Sequence, residues 1–200
     1  MKITAEPITI AMQTPFRISR CSRTECHVVR VYIEHDGKQA QGECTPYPRY
    51  GESSESVLAQ IQQASSALEG MFERGVTDPA ELREHLQSLL TGGAARNAVD
   101  CALWELEAKQ HDQVFPNSLF ELPNQMVTAM TVSIGTPEAM ATQARDYLAN
   151  GAKLLKVKLD GEQVVERVCA VREAAPDVQI VLDANEAWTG LNLEELFNQL

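Results

Sequence analysis

The grammar of this chain changes near Pro123, and the residues beyond it admit few folds. Residues 126–134 read as a strand, and Thr136-Pro137 opens a helix that runs to about Asn150. Gly151 stops that helix, because a glycine just past a helix end relieves the left-handed turn found there. Residues 153–159 then read as a strand, 161–175 as a helix, 178–183 as a strand, and a further helix begins at 192. Strands alternating with helices predict parallel βα units, with the helices covering the sheet.

Before Pro123 the pattern differs. Residues 2–12 and 25–35 read as strands, and Asp36-Gly37 is a tight hairpin signal leading into a third strand at 38–45. This is an antiparallel meander. A loop carrying Arg17, Arg20 and Arg23 is expected between the first two strands. A second loop, Pro46 to Gly51, is too rich in proline for helix. Ser53 is placed to cap a helix ending near Gly70, and Asp78-Pro79-Ala80-Glu81 has the order of a capped helix start. Ala95, Ala98, Val99, Ala102, Leu103 and Leu106 recur at helical spacing, and their small size predicts close packing. The chain therefore divides into residues 1–122, an α+β segment, and residues 123–200, a βα series.

Composition excludes several roles. Seventeen Lys+Arg against 28 Asp+Glu give a net charge of −11, which opposes nucleic acid and anionic membrane surfaces. No apolar run approaches the ~20 residues of a membrane helix, and the alternating N-terminus is not a signal peptide. The five cysteines are spread out with no C-x-x-C pair, so a disulfide framework or thiolate zinc site is not expected and a reducing cytoplasm fits. A homo-oligomer is compatible with the sequence.

The strand Lys153-Leu154-Leu155-Lys156-Val157-Lys158-Leu159 carries the chemistry. Side chains alternate faces along a strand, so Leu155, Val157 and Leu159 share one face and Lys156 and Lys158 the other. A parallel strand covered on both sides is normally apolar throughout. Two lysines on one buried face repel each other and lose solvation, and both effects lower a lysine pKa toward that of a general base. The other reading is an open, solvated strand end. The lysines lie at the C-terminal end of the strand, where α/β barrels place active sites. Asp183, in Asp183-Ala184-Asn185, ends the next strand at the same rim. It reads as an oxygen ligand for Mg²⁺ or as a loop cap.

Together these motifs resemble the enolase superfamily, in its muconate-lactonizing-like branch with the K-x-K strand. Cys44 to Ser53, Gly93 to Ala98 and Ala152 to Asp160 resemble the dipeptide epimerases of that superfamily, and the similarity runs over essentially the whole chain. The resemblance implies an α+β capping domain at 1–122 and the first three βα units of a (β/α)8-type barrel at 123–200. It implies Mg²⁺-dependent epimerisation of L-Ala-D/L-Glu type dipeptides, through an enediolate, in peptidoglycan peptide metabolism. Lys158 would be one of two opposed acid/base residues, Lys156 its electrostatic support, and Asp183 the first of three carboxylate ligands. Arg20, with Arg23 second, would bind the substrate's glutamate carboxylate. Thr131 and Asn185 complete the candidate substrate contacts.

Epimerisation removes a weakly acidic proton beside a carboxylate, so it needs a base on each face and a cation for the resulting charge. A complete barrel needs eight strands and typically ~250 residues. The remaining ligands and the opposed base are therefore expected outside these 200 residues, and the chain alone is expected to lack part of the site. Two other readings stay open at this point. One is a muconate cycloisomerase or succinylbenzoate synthase relative with the same site. The other is a non-catalytic binding protein. Arg49, Trp104, Trp188 and Cys21 are expected in solvent or packing roles.

Overall fold

The structure, a computed structural model, describes residues 1–113 and 123–200; the last residues of the expected first segment, 114–122, lie outside the described residues. The chain forms two compact units, residues 1–11 with 25–122, and residues 12–24 with 123–200. Strands β1 (Lys2–Ile18), β2 (Cys21–His35) and β3 (Lys38–Cys44) make one sheet in the order β1-β2-β3. Asp36 and Gly37 have φ of 48° and 71°. Two left-handed residues in a two-residue turn match the twist of the strands they join.

The turn sets the β2–β3 register, which aligns Val29, Val31 and Ile33 with Cys44, Gly42 and Ala40. One side of each pair is branched and the other small. Helix α3 (Ala94–Gln110) fits against this face because it too presents small residues. Ala95, Ala98, Val99, Ala102, Leu103 and Leu106 are all buried, as their spacing predicts. Helix α1 (Ser54–Glu73) begins with a capping box between Ser53 and Ser56, and it adds Val57, Ile61 and Leu68 to the core. Helix α2 (Pro79–Leu89) begins where Asp78 accepts the Ala80 N–H at 2.9 Å. Its Arg83 is buried, paired with Glu107 and stacked 3.5 Å over the Trp104 ring. Trp104 thus has a packing role.

The structure departs from the sequence-based expectation in two loops. The arginine-rich loop is a strand pair for most of its length: β1 runs to Ile18 and β2 starts at Cys21, leaving a turn at Ser19-Arg20. An antiparallel ribbon is held by backbone hydrogen bonds and needs no apolar face, so hydrophobic pattern does not reveal it. The Pro46–Gly51 loop contains one 3-10 turn, Pro48–Tyr50. Proline is tolerated there because the first turn of a helix has no internal use for its N–H.

The second unit is a regular βα alternation: β4 (Ala129–Val132), α4 (Pro137–Ala149), β5 (Leu154–Lys158), α5 (Val164–Ala174), β6 (Gln179–Asp183) and α6 (Leu193–Phe197). Strand β4 is shorter than the 126–134 expected. The sheet runs β4-β5-β6 and is parallel throughout. Leu155, Val157 and Leu159 are fully buried among Met140, Ala144, Val164 and Val171. That leaves Lys156 and Lys158 on the opposite face. The architecture is an α+β domain followed by the opening units of a (β/α) barrel. Among the described residues no helix is long and apolar enough to cross a membrane.

Gly42 is the tightest point of the first core. A Cβ there would collide with the backbone of Ala98 and Ala102 on α3. Gly42→Ala is expected to destabilise the fold by at least the ~1–3 kcal/mol of an overpacked core. Gly70, near the end of α1, would meet only the tip of Arg74 at 3.4 Å. Gly70→Ala should stabilise by ~0.5–1 kcal/mol through helix propensity. Urea unfolding of the two variants should therefore show midpoints moving in opposite directions.

Candidate active site at the strand ends

Parallel pairing places Lys158 directly opposite Asp183, and Lys156 opposite Thr131 and Val181. The register alone brings both charged strand ends to one rim. Lys158 Nζ donates to Asp183 Oδ2 at 2.6 Å and to Asn185 Oδ1 at 3.0 Å. Lys156 Nζ reaches the same Asp183 oxygen at 2.9 Å. The Asn185 N–H donates to the other carboxylate oxygen at 2.9 Å. Lys158 is buried, its side chain 9% exposed, whereas that of Lys156 is 39% exposed.

The electrostatics partly reverse the expectation from sequence. Partial burial pushes the Asp183 carboxyl up, but the two ammonium groups and the Asn185 N–H outweigh it and hold the carboxyl well below the usual range. Lys156 is raised, not lowered, first by its hydrogen bond to Asp183 and then by that group's charge. Repulsion between neighbouring lysines is overcome because the adjacent strand ends on an anion, and like-charge reasoning on one strand omits it.

Arg20, in the β1–β2 turn, donates from Nη1 to the Asn185 carbonyl at 2.9 Å and lies 3.2 Å from Glu186 Oε2. The Ser19 hydroxyl donates to the same carbonyl at 3.4 Å. Asn185 and Glu186 both have left-handed backbones, φ 47° and 71°. The structure thus joins Lys156, Lys158, Asp183, Asn185 and Arg20 in one network. Thr131 neighbours Lys156 in the sheet, and Arg23 lies on β2.

Sequence reading missed several members of the surrounding frame. Arg167 on α5 is buried; it binds the Asp160 carboxylate at 2.5 Å, the Gly135 carbonyl at 2.9 Å and the Glu162 carbonyl at 2.7 Å. It ties the loop after β4 to the loop after β5. The Trp188 indole donates to the Asp160 carbonyl at 2.9 Å, which gives Trp188 a structural role. Ser19 and Glu186 were missed because their partners are backbone or come from a distant turn. The spacing of Asp160 and Arg167, one strand-end loop and one helical turn apart, was the available signal for that pair.

Asp183 offers a hard carboxylate oxygen of the kind Mg²⁺ prefers. Among the described residues no three His, Cys, Asp or Glu side chains gather as a metal site. Asp183 fits such an ion as one ligand, and the described residues do not complete its shell. All five cysteines are free, and burial pushes the Cys44 thiol up to about 11.

Residues 2–119 match the N-terminal domain of the mandelate racemase / muconate lactonizing enzyme family, and residues 139–200 match the enolase C-terminal domain-like family. The chain is 49% identical over 178 residues to L-Ala-D/L-Glu epimerase of Escherichia coli (strain K12), spanning 88% of this chain and 53% of that protein. It is similar to an enolase family member from Agrobacterium tumefaciens with homology to dipeptide epimerases, solved with bound sodium and L-Ala-L-Glu. That match has a TM-score of 0.84 and 39% identity, over 98% of this chain and 57% of the other. A dipeptide epimerase from Enterococcus faecalis, complexed with Mg and L-Leu-L-Tyr, matches with a TM-score of 0.81 and 25% identity over 94% and 54% of the two chains. The chain spans about half the length of the curated relatives it matches.

The Asp183 environment makes a direct prediction. A carboxyl held low contributes stability above its unfolded pKa, and that stability is lost as pH falls through the folded value. A carbon-detected NMR titration of Asp183 should show no midpoint at or above ~3.9, the ordinary aspartate value. A midpoint above that value would mean the lysines do not hold it.

Proposed function

The chain belongs to the mandelate racemase / muconate lactonizing enzyme family of the enolase superfamily, and from that premise we propose that it contributes the capping domain, one base and the first metal ligand of a Mg²⁺-dependent dipeptide epimerase. The substrates are L-Ala-D/L-Glu type dipeptides, of the kind released in peptidoglycan peptide metabolism. The observation that carries this reading is Lys158 Nζ held 2.6 Å from Asp183 at adjacent strand ends. The Escherichia coli relative's name supports the substrate pair, and the magnesium in the Enterococcus faecalis complex supports the metal.

In its amine form Lys158 takes the α-proton from one face of the substrate carbon while the opposed acid protonates the other face; in the reverse direction Lys158, as ammonium, donates a proton to its own face. Asp183 and Asn185 fix where Nζ points, which is the orientation a general base needs. Lys156 adds positive charge beside the developing anion. Asp183 would hold the Mg²⁺, which supplies charge stabilisation at the substrate carboxylate as the proton leaves. Arg20 binds the side-chain carboxylate of the glutamate residue with a charge-assisted hydrogen bond, and Arg23 and Thr131 flank the substrate. Residues 1–122 act as the cap.

The test uses the protein expressed from its complete reading frame. It should interconvert L-Ala-D-Glu and L-Ala-L-Glu only with Mg²⁺ present. Asp183→Asn should lower turnover at least a hundredfold and weaken Mg²⁺ binding, because a neutral amide is a poor substitute for a charged ligand. Calorimetric Mg²⁺ titration and polarimetry read the two effects separately. Unchanged metal affinity and rate would make Asp183 a loop cap.

A further inference from the structure

Arg20 already holds a carboxylate, and that carboxylate belongs to the chain. Glu186 Oε2 lies 3.2 Å from Arg20 Nη1, while the same nitrogen donates to the Asn185 carbonyl at 2.9 Å. Both partners come from two consecutive non-glycine residues with left-handed backbones. Such residues cost free energy and persist where the surrounding structure over-determines them. The strained segment lies just beyond Asp183. It turns one face of Asn185 to Lys158 and Asp183, and it places its carbonyl and the next side chain against Arg20.

We infer that Glu186 is a specificity-determining residue: an internal carboxylate that occupies Arg20 until the carboxylate of a substrate side chain displaces it. This rests on the reading of Arg20 as the contact for a glutamate-type substrate. The exchange is one carboxylate for another, so no charge is buried or exposed in net. The pair is well suited to exchange because both side chains are partly exposed, 38% and 65%. Exposed ion pairs are weak and screened by salt, so an incoming anion can replace Glu186. A substrate whose side chain carries no anion leaves the pair in place and gains nothing from Arg20. Glu186 therefore sets how much affinity an acidic side chain adds. A weaker competitor would leave Arg20 more available to it.

The measurement is the KM for L-Ala-L-Glu and for L-Ala-L-Ala, in the wild type, Glu186→Gln, Arg20→Ala and the double variant, at low and high salt. Glu186→Gln should lower the KM for L-Ala-L-Glu relative to L-Ala-L-Ala by about two- to five-fold, the range of an exposed pair. The gain should shrink at high salt and vanish in the Arg20→Ala background, since coupled residues lose their interaction when either is removed. An unchanged KM ratio, a raised KM for L-Ala-L-Glu, or a gain that survives Arg20→Ala would overturn the inference. Wild-type protein that turns over L-Ala-L-Ala as well as L-Ala-L-Glu would instead overturn the reading of Arg20, and the inference with it. The outcomes differ: the first set leaves a glutamate-preferring wild type, the last does not.

Discussion

One carboxylate organises the second unit's rim. Asp183 accepts from Lys156 and Lys158 on the neighbouring strand and from the Asn185 N–H in its own loop. Two lysines at the end of a parallel strand are otherwise an electrostatic fault, since like charges repel and the deeper one is desolvated. The anion on the neighbouring strand converts the fault into a fixed arrangement. That arrangement then extends outward through Asn185 to Arg20, so the β1–β2 turn belongs to the second unit.

The frame that holds the carboxylate in place is apolar on one side and polar on the other. Leu155, Val157 and Leu159 anchor β5 to its helices. Because side chains alternate, that anchoring leaves Lys156 and Lys158 with no choice of face. A one-residue slip in register would turn the lysines into the apolar core under the helices and Leu155, Val157 and Leu159 toward Asp183. On the outer rim, buried Arg167 clamps the loops after β4 and β5 through Gly135, Asp160 and Glu162. The first unit uses different means: small residues at Ala40 and Gly42 let α3 lie close on the sheet, and Arg83 carries its charge into the interior with Glu107 and Trp104.

Much of this was legible in the sequence where a local rule applied. The I′ turn at Asp36-Gly37, the caps at Ser53, Asp78 and Thr136, and the stop at Gly151 each meet a backbone requirement with one residue type. The face of Lys156 and Lys158 came from period two. The polar ribbon past residue 12 was not legible, because backbone pairing leaves no hydrophobic trace. The raised Lys156 was not legible either, because its cause lies on another strand. Arg20 was marked as an anion binder through resemblance, but its hold on Asn185 and Glu186 joins residues far apart in the chain, and no spacing rule connects them.

On the function proposed above, Lys158 is a base acting on one face of the substrate carbon. Exchange of the α-proton with D₂O tests it most directly, using the protein from its complete reading frame with Lys158→Ala. Each of two opposed bases removes the proton from one stereoisomer only. Exchange should therefore vanish for the isomer whose proton faces Lys158 and persist for the other, while epimerisation stops in both directions. Exchange undiminished for both isomers would show that the lysine pair is a strand end tied to Asp183 and nothing more.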